Sequence, residues 1–264
     1  MSSTLTAIII GVVEGVTEFL PVSSTGHMIL VGNMIGFNDE AATVFEVVIQ
    51  LGAILSVIFL YKERFRHFFT KDGFAIDKGL SVWHVAAGIV PVMGVAYFMH
   101  STIKAYLFSP FTVCIGLVVG GVLMIVAERF SSADMVEDVD KIDIKQAFYV
   151  GLFQLLSLWP GFSRSGSTIA GGLFLGLSRK AAAEFSFIIA VPIMFVACTY
   201  DLYKNFAILN ADDLGMLAIG FVTAFVTAWL SMLWFIKFLN RSSLTSFAVY
   251  RFVLAIFSLW YFYK

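Results

Sequence analysis

Two apolar stretches of this chain are each cut midway by a proline and a cluster of small and hydroxyl residues: Leu5–Leu20 with Met28–Gly36, and Ala147–Trp159 with Thr168–Leu177. Such a break frees backbone N–H and C=O groups that lipid cannot satisfy, so at membrane depth it is tolerated only inside protein or against a watery cavity. Neither half of a broken stretch crosses alone, because a spanning helix needs roughly 17–25 residues. Six other runs meet that length: Val44–Tyr61, Trp83–Met99, Phe111–Ala127, Ala183–Tyr203, Leu214–Ile236 and Phe247–Tyr263. The chain is 59% hydrophobic and 13% charged, where a soluble domain carries about 25% charge, so a soluble fold is excluded. The sequence predicts an all-α polytopic membrane protein, one integral domain over residues 1–264, with six transmembrane helices and two re-entrant helical hairpins.

The remaining composition narrows the partners. A net charge of -1 argues against nucleic acid, and membrane lipid is the natural surround. Cys114 and Cys198 lie inside apolar runs and read as packing thiols. Met1–Thr6 lacks the Lys/Arg of a secretory signal, so the first apolar stretch is expected in the mature protein. The positive-inside bias sets the orientation. With the 62–82 loop in the cytoplasm, Lys62, Arg64, Arg66, Lys71, Lys78, Arg129, Lys141, Lys145, Arg179, Lys180, Lys237 and Arg241 lie inside, against Lys104, Lys204 and Lys264 outside. Both termini are therefore expected on the outer face, with Arg164 and Arg251 left at depth.

Slid against itself, the sequence matches at an offset of 140: Gly11/Gly151, Ser23/Ser163, Gly26/Gly166, Ile29/Ile169, Gly32/Gly172, Gly36/Gly176, Ala41/Ala181, Ala42/Ala182, Phe45/Phe185 and Ile49/Ile189. The broken stretches fall on one another, giving repeat units 5–128 and 145–264, each a hairpin followed by three spans. Three is odd, so the units have inverted topology and their hairpin tips are expected to meet near the midplane, where transporter folds of this kind place binding sites.

The first break reads Glu14-Gly-Val-Thr-Glu18-Phe-Leu-Pro-Val-Ser-Ser24-Thr25-Gly26-His27. Glu14 and Glu18, four apart on a helix, share a face. An ionised group at the bilayer centre costs at least about 2.5–3.5 kcal/mol, so intramembrane acids point to function. The second break reads Trp159-Pro-Gly-Phe-Ser163-Arg164-Ser165-Gly166-Ser-Thr168. One Arg among hydroxyls at a helix start combines free N–H groups, a positive dipole end and a guanidinium that binds phosphate bidentately. Arg164 with Ser163, Ser165, Gly166 and Thr168 is the expected anion cradle, Thr25 and Gly26 of the first break are expected to bind substrate beside it, and the acids are placed to hold a divalent cation, Mg²⁺ or Ca²⁺. Glu46 and Gln50 either extend this site or, for Glu46, mark the interface. Glu184 reads as a solvated helix end. Arg251 either snorkels or pairs internally, and His67, His84 and His100 sit at loops or span ends.

The segments E-G-V-T-E-F-L-P-V-S-S-T-G-H (Glu14–His27) and W-P-G-F-S-R-S-G-S-T (Trp159–Thr168) resemble the two signature motifs of the undecaprenyl-diphosphate phosphatase, or bacitracin-resistance, family. Phe45–Gly52 and Glu184–Phe187 extend the resemblance along the chain. It implies a bacterial inner-membrane enzyme that hydrolyses undecaprenyl diphosphate to undecaprenyl phosphate and phosphate, recycling the lipid carrier of peptidoglycan synthesis. It also implies a periplasm-facing site, a divalent cation, inverted repeats with re-entrant hairpins, and a homodimer. Glu14, Glu18, Ser24, Thr25, His27, Ser163, Arg164 and Thr168 are the positions that match the family's site residues. For the nucleophile, Ser24 activated by His27 or a Glu is preferred over direct attack by His27. S-S-T-G-H echoes the central motif of type-2 phosphatidic-acid phosphatases, whose other motifs are absent. The alternative function is a transporter or flippase for a phosphorylated lipid, alone or beside the phosphatase.

Overall fold

The protein, seen in a computed structural model, is described over residues 3–37, 40–107, 109–131, 135–205 and 214–264. These residues form α1 (Ser3–Thr17), α2 (Ser24–Ile35), α3 (Glu40–Leu60), α4 (Lys62–His67), α5 (Val82–Leu107), α6 (Pro110–Arg129), α7 (Ile144–Gln154), α8 (Arg164–Phe174), α9 (Arg179–Lys204), α10 (Leu214–Leu239) and α11 (Thr245–Tyr263). The only extended pairing among them is one bridge, Val136 with Leu177. By length and composition α5, α6, α9, α10 and α11 suffice to cross a membrane. The sixth expected span is helical as α3, whose apolar run is Val44–Leu60. The fold is all-α and polytopic.

Local chemistry sets the helix starts. Ser109 caps α6 through a reciprocal box with Thr112, and Pro110 follows at the first helical position, where its missing N–H costs nothing. Asp143 and Gln146 form the same box at α7, and Ser178 caps α9 by accepting from the Ala181 N–H. Gly36 ends α2 in the left-handed conformation.

Packing exchanges helices between the halves of the chain. The first helix of the first broken stretch, α1, lies on α10, and its counterpart α7 lies on α5. A Cβ on Gly11 would stand 2.8 Å from the Gly220 carbonyl oxygen, and one on Gly151 2.6 Å from that of Gly88. Each glycine, matched at the 140-residue offset, thus lets its helix approach a partner backbone closely, the device that packs helices without a hydrophobic drive in lipid. α9 is the inner helix: 67% of its apolar window is buried, against 17% for α5. Phe185, Phe187, Ile188 and Ile189 of α9 pack in one core with Phe19 and with Phe235 of α10, while Tyr97 and Phe98 of α5 are exposed. On the loop face, Arg64 donates to both Asp140 carboxylate oxygens, and the Leu80 N–H adds a third bond at 3.0 Å. The Arg64 guanidinium holds the Asp140 carboxyl below the usual carboxylate range. An open cavity of about 520 Å³ among these loops, lined by Asp77, His84 and Asp140, contains no residue of either break.

Candidate active site

Each break is closed by a serine in an unusual backbone state. Ser23 has φ 70° and Ser163 φ 75°, and they are the only non-glycine residues with positive φ among those described. Ser23 caps α2 by accepting from the Gly26 N–H, and Ser163 caps α8 by accepting from the Gly166 N–H. Such a conformation costs about 1–3 kcal/mol and persists where the surroundings enforce it, commonly at functional sites. The breaks also touch directly. Ser165 Oγ donates to the Leu20 carbonyl at 2.8 Å and lies 3.2 Å from Ser163 Oγ.

Between them lies a cavity of about 320 Å³. Glu18, Ser23, Ser24 and Thr25 line it from the first break, and Trp159, Pro160, Gly161, Ser163 and Arg164 from the second. Gln50 of α3, Ser157, and Met194 and Ala197 of α9 complete the wall. Arg164 and Glu18, 146 residues apart, meet here: Nη2 donates to Glu18 Oε1 at 3.3 Å. Ser24 Oγ donates to the other Glu18 oxygen at 2.5 Å. Arg164 is further held by the Ser186 carbonyl at 3.1 Å and stands 5.7 Å from the centre of the Phe19 ring, while its Nε is buried without a partner. One carboxylate therefore orients both a cation and a hydroxyl at a cavity wall, within the positive ends of two helices.

The other sequence-predicted residues stand back from the wall. Thr168 is fully buried and bonds Ser186 Oγ at 2.7 Å and the Arg164 carbonyl at 2.9 Å, so it fixes the first turn of α8. Ser165 and Gly166 likewise serve the turn, and Gly26 does so at α2. His27 points away from Ser24: Nδ1 donates to the Ser23 carbonyl at 2.8 Å, and Nε2 lies 2.7 Å from the Tyr250 hydroxyl. Arg251 does not snorkel; it is fully buried. Ser157, Ser186, Met194, Ala197 and Tyr250 were not singled out by the sequence. Ser and Tyr within apolar helices carry no local signal, and only their neighbours reveal them.

The family profile described as "Bacitracin resistance protein BacA" matches residues 7–257. The chain belongs to that family. "Undecaprenyl-diphosphatase 1" of Bacillus anthracis is 47% identical over 257 residues, covering 97% of each chain. The protein of the same name from Bacillus thuringiensis subsp. konkukian (strain 97-27) is similar to the same extent, 47% over 257 residues. The match to the bacitracin resistance family takes in both breaks and their cavity.

A divalent cation of the kind the sequence suggests can be tested against these residues. Glu14 is fully buried and neither of its carboxylate oxygens has a hydrogen-bond partner. An unpaired buried carboxylate costs several kcal/mol, so it calls for a proton or a positive charge. Glu18 lies one helical turn on, at the cavity wall. Among the described residues no three His, Cys, Asp or Glu side chains cluster as a metal cage. Two carboxylates without a cage suit an ion such as Mg²⁺, which takes one or two carboxylates and completes its shell with water and phosphate oxygens. The donor set fits.

Proposed function

We propose that this chain is a membrane phosphatase that hydrolyses undecaprenyl diphosphate to undecaprenyl phosphate and inorganic phosphate, recycling the lipid carrier of peptidoglycan synthesis. The observation that carries the reading is the convergence of Arg164 and Ser24 on one Glu18 carboxylate. The names of the similar Bacillus proteins supply the substrate.

In this mechanism Glu18 accepts the Ser24 Oγ proton while Oγ attacks the terminal phosphorus. The anhydride P–O bond breaks and undecaprenyl phosphate leaves, the proton on Glu18 passing to the phosphate oxygen it frees. Water then attacks the phosphoserine while Glu18 takes one of its protons; the Oγ–P bond breaks, that proton returns to Ser24 Oγ, and phosphate departs. Arg164 balances charge on the transferring oxygens, and the first residues of α2 and α8 line the same cavity. Glu14 and Glu18 would hold a divalent cation, which when bound offsets diphosphate charge. The geometry favours Ser24 over His27 as nucleophile, because both imidazole nitrogens already have partners.

Orientation follows the basic residues: both termini periplasmic and the cavity opening on that side of the inner membrane. In support, Met194 and Ala197 line the cavity toward the Lys204 end of α9 and away from the Arg179 end, and Thr25 and Ala197 are exposed. The inverted repeat is supported by the two equivalent serine turns and by the exchanged packing of α1 and α7. The same broken-helix plan keeps a transport role in view as a second reading, the product being returned across the membrane.

Purified protein in detergent tests the enzyme. Phosphate release from a prenyl diphosphate is expected with Mg²⁺ or Ca²⁺, is expected to stop on chelation, and a trapped phosphoenzyme is expected on Ser24. No release from the wild type with either ion present overturns the reading.

A further inference from the structure

We propose that Tyr250 and Arg251, adjacent on α11, are positioning residues that hold the two serine turns in register for the reaction; the proposal rests on the phosphatase reading above. Arg251 has no carboxylate among the described residues. Its guanidinium is completely buried, and leaving such a charge uncompensated costs several kcal/mol. Five backbone carbonyls compensate it, three from the two breaks and two from α6. Nη2 donates to Phe162 at 2.8 Å, Gly161 at 2.9 Å and Gly116 at 3.0 Å. Nε donates to Leu117 at 3.0 Å, and Nη1 reaches Pro21 at 3.5 Å. The side chain thus joins the residue two before Ser23 to the two residues before Ser163.

Peptide geometry makes that grip directional. In a planar trans peptide the C=O and the following N–H point opposite ways. Drawing the Phe162 carbonyl to Arg251 therefore turns the Ser163 N–H the other way and fixes the entry to the strained residue. The close approach depends on Gly120, where a Cβ would stand 2.3 Å from Nη2, and on Gly116, where it would stand 2.5 Å from the Pro160 carbonyl oxygen.

Tyr250 acts on the other turn through one intermediate. A carbonyl only accepts, so the Nδ1 bonded to the Ser23 carbonyl carries the proton, and Nε2 of the neutral ring accepts from the Tyr250 hydroxyl. The rings lie parallel, 6° apart with centroids 5.7 Å apart. Tyr250 fixes the His27 ring, the ring fixes the Ser23 carbonyl, and Ser23 precedes the Ser24 hydroxyl aimed at Glu18. One turn of α11 thereby reaches each serine by a separate route. Small displacements of a reacting group cost rate rather than affinity, up to about 10²-fold for 1 Å.

Tyr250→Phe removes a single hydroxyl from a half-exposed side chain and leaves the packing in place. Amide exchange followed by mass spectrometry is expected to rise over residues 22–28 and to stay unchanged over 159–168, with kcat about tenfold lower, KM held and the unfolding midpoint held. Arg251→Lys keeps the charge but spans fewer carbonyls, and exchange is expected to rise over both segments. Unchanged exchange in Tyr250→Phe overturns the proposal. So does raised exchange with unchanged kcat, or a kcat that falls only with the folded fraction. If the wild type releases no phosphate, the functional reading fails, while the exchange measurements still decide whether α11 holds the turns.

Discussion

The two serine turns share a backbone and differ in what encloses them. Ser23 and Ser163 each enter a helix at positive φ and each cap it through the N–H three residues on. Beyond Ser163, nine of the eleven residues of α8 are buried, whereas beyond Ser23 five of the twelve in α2 are. The second turn spends its hydroxyls on structure: Ser165 on Leu20, Ser167 and Thr168 on the Arg164 carbonyl. The first turn keeps Ser24 and Thr25 at the cavity. One device thus yields an enclosed charged wall on one side and an open hydroxyl face on the other, because the neighbouring helices cover one copy more fully.

Substitutions test that division. Ser24→Ala is expected to have the largest effect, lowering kcat by about 10³-fold or more with little change in stability, read as phosphate release per folded protein. Arg164→Ala is expected to lower it by about 10²–10³-fold, and Arg164→Lys by less, since the charge remains without the fork. An Arg164→Ala variant of near-normal activity would remove the charged wall from the comparison.

Stability changes should fall on the enclosed side. Gly161 has φ +89°, and a Cβ there would stand 2.1 Å from the Val113 carbonyl oxygen, so Gly161→Ala is expected to lose about 3 kcal/mol or more. Gly36 has φ +70° with no atom in the way, and Gly36→Ala is expected to lose only about 1 kcal/mol. Unfolding midpoints in detergent compare the two. Ser165→Ala removes one of two donors to the Leu20 carbonyl, which keeps the Val22 N–H at 2.8 Å, and is expected to cost about 1 kcal/mol, with a far smaller effect on kcat than Ser24→Ala. The smallest effect lies outside both turns. The Asp140 carboxyl, held low by Arg64, contributes stability above the ordinary carboxylate range, lost as pH falls through its depressed value. That side chain is 42% exposed, so Asp140→Asn should remove no more than about 1 kcal/mol and flatten the acid limb of a pH–stability curve.

Much of this was legible in the residues. Apolar length located the helices and the interruptions, since lipid imposes one solution on backbone polarity. The 140-residue offset pairs Ser23 with Ser163, and each position needs a short hydroxyl side chain because it caps its helix by accepting the N–H three residues on. Glu18, Ser24 and Arg164 stood out as polar groups in apolar surroundings. Thr168 and His27 stood out equally, yet face backbone and Tyr250. A residue type announces that a polar group needs a partner, and says nothing of which partner it finds.

The sequence by itself therefore determined an all-α membrane fold, the position of both breaks and the residue types that meet there, for hydropathy and backbone satisfaction are local demands. The tertiary structure alone decided that Glu18 binds Arg164 and Ser24 together, that His27 turns toward Tyr250, and that Arg251 grips carbonyls from both breaks. Those outcomes depend on the directions in which distant helices deliver their side chains and carbonyls, and direction is set by packing.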